Sequence, residues 1–196
     1  MRVMYVPNML LVGATARNTG KTTFCAEFIR KWREACDVTG VKITTIHTDD
    51  NHCHHGDDGC GACTSFDGDY EIIEERNSSC GKDTCSLLQA GALRVFWVRT
   101  KVLRLAEATE SVMSLIPKNS VVVCESNSLS GFITPGVIVV THRSDVADIK
   151  PSAKPMLEKA DFTVDVSDPE SLDAALGSIG VETADGGILL TIVNRS

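Results

Sequence analysis

An apolar run, Met9-Leu10-Leu11-Val12-Gly13-Ala14, is followed within a few residues by Asn18-Thr19-Gly20-Lys21-Thr22-Thr23, and this stretch constrains the chain more than any other. A buried strand that breaks into a tight loop and re-forms as an amphipathic helix at about Thr22 is the arrangement that cradles phosphate. The loop amides and the positive end of the helix would face the anion. Lys21 would reach the β- and γ-phosphates and the Thr22 hydroxyl would hold Mg²⁺. The expected cofactor-binding set is therefore Asn18, Thr19, Gly20, Lys21, Thr22 and Thr23. One position departs from the usual G-x-x-x-x-G-K-S/T spacing: Thr15 stands at its first glycine, with Gly13 two residues earlier.

The 196 residues suffice for one domain with a substantial core, and 43% hydrophobic with 23% charged residues is ordinary for a globular chain. No apolar run approaches the roughly 20 residues that span a bilayer. Arg2, the apolar stretch and Ala14-Thr15-Ala16 resemble a secretion signal, but Pro7-Asn8 interrupts it and cleavage there would destroy the entry to the phosphate loop. A strand and a cytoplasmic location are expected instead. The net charge of −7 is unevenly spread: His47 to Cys85 holds ten Asp or Glu against Arg76 and Lys82, so the rest is close to neutral. No basic stripe suggests a nucleic-acid partner.

Phe24, Cys25, Phe28, Ile29 and Trp32 recur at helical spacing. Strands are expected at 41–46, 70–74, 94–98, 121–124, 137–140 and 162–164, and helices near 83–92, 102–115, 153–159 and 169–176. The β-branched runs Val121-Val122-Val123 and Val137-Ile138-Val139-Val140 suit a parallel sheet covered on both faces. Strands alternating with helices predict one α/β domain over 1–196, with a doubly wound, mostly parallel sheet of the P-loop NTPase type. Residues 47–85 would form a Cys/His/Asp-rich insertion within it. The apolar tail at 187–193 reads as a strand of undetermined place.

A carboxylate ending a buried strand, as Glu125 does, lies on the ligand side of an open α/β sheet. Asp83 either shares that role or caps its helix. Lys42 either faces the phosphates or points outward from its strand. Asp145, in His142-Arg143-Ser144-Asp145 after a strand, is a degraded match to the Asn/Thr-Lys-x-Asp pattern that reads guanine, so GTP is favoured over ATP.

Five of the eight cysteines lie between Cys53 and Cys85, and four of the five histidines between His47 and His55. Cys60-x-x-Cys63 is a spacing at which one tight turn presents two thiolates to one ion. The candidate ligands are Cys60 and Cys63 with two more from Cys53, Cys80, Cys85 and the histidines, His52 and His54 among them. Thiolate with imidazole suits Zn²⁺; four thiolates would hold an iron–sulfur cluster, and a delivered Ni²⁺ or Co²⁺ is the third alternative. Structural disulfides are not expected in a reducing compartment. The metal would serve either as a staple for a long loop or as a switch coupled to the nucleotide. Cys25, Cys36 and Cys124 fall in expected core elements as small buried hydrophobes.

With Asn18-Thr19-Gly20-Lys21-Thr22-Thr23, Gly40-Val41-Lys42, Gly81-Lys82-Asp83-Thr84, Ala90-Gly91-Ala92 and Val123-Cys124-Glu125, the chain resembles the molybdopterin-guanine dinucleotide biosynthesis protein B family of the SIMIBI class of P-loop NTPases. The likeness spans about residues 9 to 140. It departs where Ser126 replaces a glycine and where the long Cys/His segment replaces a short His-rich one. The resemblance implies a slow GTPase or ATPase that assists molybdenum-cofactor or metal-centre assembly with a protein partner. Lys21 and Glu125 or Asp83 would be its catalytic groups, with Arg17 a candidate arginine finger, and a homodimer paired across the nucleotide face is the assembly the resemblance implies. Two alternatives are a nickel or cobalt metallochaperone NTPase and a non-hydrolysing sensor or scaffold.

Overall fold

The computed structural model describes residues 3–46, 66, 68–184 and 187–193. Seven strands form one sheet: β1 (Met4–Ala14), β2 (Val38–Ile46), β3 (Tyr70–Glu75), β4 (Arg94–Lys101), β5 (Val121–Glu125), β6 (Ile133–His142) and β7 (Phe162–Asp165). Their order across the sheet is β3-β4-β2-β5-β1-β6-β7. Every pairing is parallel except that of β3 with β4. The fold is thus a mostly parallel α/β sheet, as the alternation of elements predicts.

Side-chain alternation divides the interior into two cores. Leu10, Val12, Val121, Val123, Val137 and Val139 meet Phe24, Phe28 and Ile29 of α1 (Lys21–Trp32) and Leu87 of α2 (Asp83–Gln89). On the opposite face Met9, Leu11, Val122, Cys124 and Val140 meet Leu105, Ala108 and Val112 of α3 (Leu105–Ser114) and Met156 of α4 (Lys154–Leu157). All five residues of β5 are buried, which explains the unbroken Val121-Val122-Val123 run that opens it. Cys25 and Cys124 are buried as expected, and Cys36 is half-buried.

Several elements exceed their sequence signals. β1 starts at Met4 and carries a register shift between Val6 and Leu10, where Pro7 has no N–H for a ladder. The helix expected over 102–115 begins as a 3₁₀ turn, Val102–Arg104, leaving Leu103 95% exposed. α5 (Pro169–Ser178) is capped by Asp168, whose carboxylate accepts from the Glu170 N–H at 3.1 Å. The tail forms β9 (Gly187–Ile192), antiparallel to β8 (Ile179–Ala184) in a separate hairpin whose Ile179 and Leu190 close the α1-side core.

The acidic block has a structural counterpart at the sheet edge. Glu71, Glu74 and Asp69, in or beside β3, pair with Arg99, Arg94 and Lys101 of β4. Charged edge strands of this kind resist pairing with a further chain.

Candidate functional site

Parallel register assembles the site at the carboxyl ends of the central strands. Glu125 of β5 lies opposite Val12 of β1 and Lys42 of β2. Strand alternation puts Glu125 on the same face as Val123, toward α1. The loop from Thr15 to Gly20 therefore opens beside this carboxylate.

Neighbouring segments hold the loop's base. Asn127 accepts from the Ala14 N–H at 2.9 Å and donates to the Ala14 carbonyl at 2.8 Å. The Thr15 N–H donates to the Thr141 carbonyl, and the Lys150 N–H to the Thr15 carbonyl. Thr19 Oγ1 donates to the Ala16 carbonyl at 2.9 Å. Asn18 and Gly20 both have left-handed backbone, at φ 56° and 78°. At Gly20 a Cβ would also collide with the Val166 side chain, so this position requires glycine. Thr15 needs no such freedom, since Asn18 is the only non-glycine with positive φ among the described residues. No side chain caps α1 and its first turn carries no acid, so the positive end of the helix opens toward the loop.

A cleft of about 1180 Å³ lies over this loop. Asn18, Thr19, Gly20, Lys21, Thr22 and Thr23 line it, as do Asp83 and Glu125. Four cationic side chains (Arg17, Lys21, Lys42 and Lys150) face two carboxylates there, a balance that favours a polyanion. Of its two possible orientations Lys42 takes the inward one and forms an ion pair with Asp83. Asp83 is the first residue of α2 and not its cap, which is Lys82.

Glu125 is 2% exposed and its Oε1 has no hydrogen-bond partner. Burial pushes its carboxyl above the ordinary range and the Asp83 charge reinforces this, while Lys42, the neighbouring Thr22 side chain and Lys21 oppose it. Burial lowers the Lys21 ammonium, with Glu125 opposing. Lys150 is lowered by burial and by the nearby Lys21 and Arg17 charges. For Lys21 and Glu125, lost hydration outweighs mutual attraction. An orphaned buried carboxylate oxygen beside Thr22 fits a hard cation such as Mg²⁺, which takes oxygen ligands.

Other expected residues lie elsewhere. Asp145 is held by Arg143 through two hydrogen bonds of 2.9 and 2.8 Å and does not line the cleft. Cys53, Cys60, Cys63, His52 and His54 lie outside the described residues. Cys80 and Cys85 correct the expectation of free thiolates: they are joined as a disulfide. Five positions of separation and the turn at Gly81 bring their Cα atoms to 5.9 Å, within bonding reach. Asn127 and Lys150 are cleft residues that no local motif marks. Their only signal in the sequence is position, each following a strand that ends at the cleft.

Comparison of the chain with family models, with curated proteins and with solved structures yields no match. No helix among the described residues is long and apolar enough to cross a membrane.

Proposed function

We propose that this chain is a P-loop nucleotide-binding protein that takes a Mg²⁺–nucleoside triphosphate in the cleft above Lys21. The observation that carries the reading is the buried, unpartnered Glu125 Oε1 beside the Thr22 hydroxyl, at the foot of a cation-lined loop. Thr22 and Glu125 would hold the Mg²⁺. When bound, that ion neutralises charge on the phosphate oxygens. Lys21 and the loop N–H groups would orient the phosphates and stabilise charge developing on them. The Lys42–Asp83 pair fixes the far wall and keeps a second ammonium close to the same oxygens.

The resemblance to the molybdopterin-guanine dinucleotide protein B family supports slow hydrolysis of GTP or ATP in the service of cofactor or metal-centre assembly. For a guanine to be read by Asp145, its carboxylate would have to release Arg143. Calorimetric titration with Mg-GTP and Mg-ATP, repeated in EDTA and with Lys21→Ala, tests the site and ranks the bases. Binding that needs both Mg²⁺ and Lys21 supports it; affinity unchanged in Lys21→Ala refutes it. Phosphate release from the bound nucleotide then separates a hydrolase from a non-hydrolysing sensor.

A further inference from the structure

Away from the cleft, the end of β3 and the start of α2 bring together Glu75, Cys80 and Cys85. One ligand atom from each lies within 4.8 Å of the other two. Both supports are regular elements. Glu75 is the last residue of β3, and Cys85 stands in the first turn of α2, 1% exposed. The carboxylate is already oriented: Oε1 accepts from the Arg76 and Asn77 N–H groups, and Oε2 from Thr84 Oγ1 at 2.9 Å. Oε2 also faces Cys80 Sγ at 4.0 Å. A plain disulfide needs no carboxylate held against it, whereas a metal ligand is held by this kind of outer shell.

We propose that Glu75, Cys80 and Cys85 form a thiophilic divalent-cation site, for which Zn²⁺ is the best match, and that the disulfide is its oxidised, metal-free state. Two thiolates and a carboxylate are a zinc donor set that leaves the fourth position open to water or an external ligand. Conversion balances simply. A dithiol reductant supplies two electrons and two protons, the S–S bond breaks into two thiols, and the reductant is itself oxidised to a disulfide. Zn²⁺ then displaces the two thiol protons. Two sulfurs on one Zn²⁺ at about 2.3 Å stand roughly 3.7 Å apart, a separation that half-exposed Cys80 can reach by turning about its side chain. Gly81, Lys82, Asp83 and Thr84 lie between the two cysteines, so the same site positions the Asp83 that pairs with Lys42.

The site is tested without nucleotide, so its failure and that of the nucleotide reading are separable. The full chain is reduced anaerobically and exposed to iodoacetamide with and without Zn²⁺. Trypsin cleavage after Arg76, Lys82 and Arg94 places Cys80 and Cys85 on separate peptides, apart from Cys53, Cys60 and Cys63. Zn²⁺ is expected to slow Cys80 alkylation by about tenfold, because the thiolate is the reacting species and the metal removes it. Cys85→Ser should abolish that protection, and Glu75→Gln should raise the Zn²⁺ concentration it requires by about 10- to 100-fold. Equal Cys80 alkylation with and without Zn²⁺ in the wild-type chain overturns the proposal, as does equal protection in wild type and both variants.

Discussion

Replacing Glu125 with glutamine keeps the shape of the side chain and removes the buried charge. A buried polar atom without a partner costs about 1–3 kcal/mol, and more when it is charged. Glutamine leaves a polar amide at the same place and relieves only the charge, so the ligand-free protein should gain about 1.4 kcal/mol at pH 7 to 8 for every tenfold by which burial weakens the Glu125 acid, and each kcal/mol raises Tm by about 2–4 °C in a chain of this size. The pH dependence has a definite sign. In the unfolded chain Glu125 titrates near its ordinary 4.5, and burial raises it in the folded state. The folded protein thus binds the extra proton between those two values. The associated stability is fully present below 4.5 and is lost as pH rises through the folded value. Glutamine has no such slope, so the variant's advantage should be absent near pH 4 and open as pH rises. Mg-nucleotide should reverse the ranking. Wild type gains about 2.7 kcal/mol at 100 times the Kd, whereas the neutral amide is a poor ligand for Mg²⁺ and the variant should gain far less. Thermal unfolding from pH 4 to 8, with and without Mg-nucleotide, reads both effects. A variant that is destabilised at neutral pH yet keeps its full Mg-nucleotide gain would refute the reasoning and make Glu125 a structural residue.

Lys21→Ala should retain the fold and lose nucleotide binding; because burial lowers the Lys21 ammonium, its ligand-free Tm should not fall at pH 7, as circular dichroism melts would show. Gly20→Ala forces a Cβ into left-handed backbone against Val166 and should cost at least about 1–2 kcal/mol in urea unfolding, with weaker nucleotide affinity. An unchanged midpoint would show that the loop relaxes freely. Asp168→Ala removes the α5 cap and should cost about 1 kcal/mol in urea unfolding without altering nucleotide affinity. Met156→Ala empties the space beside Gly13 and should lower stability in the same assay by about 2–5 kcal/mol.

Signals carried by a few neighbouring residues are legible in the sequence itself. The candidate phosphate loop is marked by glycine, lysine and threonine at fixed offsets after a strand, and Val121–Val123 and Val137–Val140 announce parallel strands by their uninterrupted branching. Glu125 is placed at a strand end for the same reason. The β8–β9 hairpin is harder to read: its apolar positions alternate only weakly, and its place is set by the gap that Ile179 and Leu190 fill. The cap at Asp168 adjoins Pro169, a local pairing that marks a helix start.

Pairings across the sheet depend on strand order, and no local pattern encodes that order. Inserting β5 between β1 and β2 puts Glu125 between the end of β1, where the loop into α1 begins, and Lys42. It also buries one carboxylate oxygen with no partner. Lys42 can be read either way because a strand alternates its faces, and only the position of α2, with Asp83 at its start, decides which side is the cleft. Asn127 and Lys150 reach the loop from far along the chain through the loops after β5 and β6. Glu75 joins Cys80 and Cys85 by the same route, since the return from β3 into α2 brings a strand end against a helix start. By itself the sequence determined which residues are candidates to bind phosphate, because that signal is carried by contiguous residues. The tertiary structure alone decided which distant charges face it, because burial and electrostatic attraction depend on distances that only the folded sheet sets.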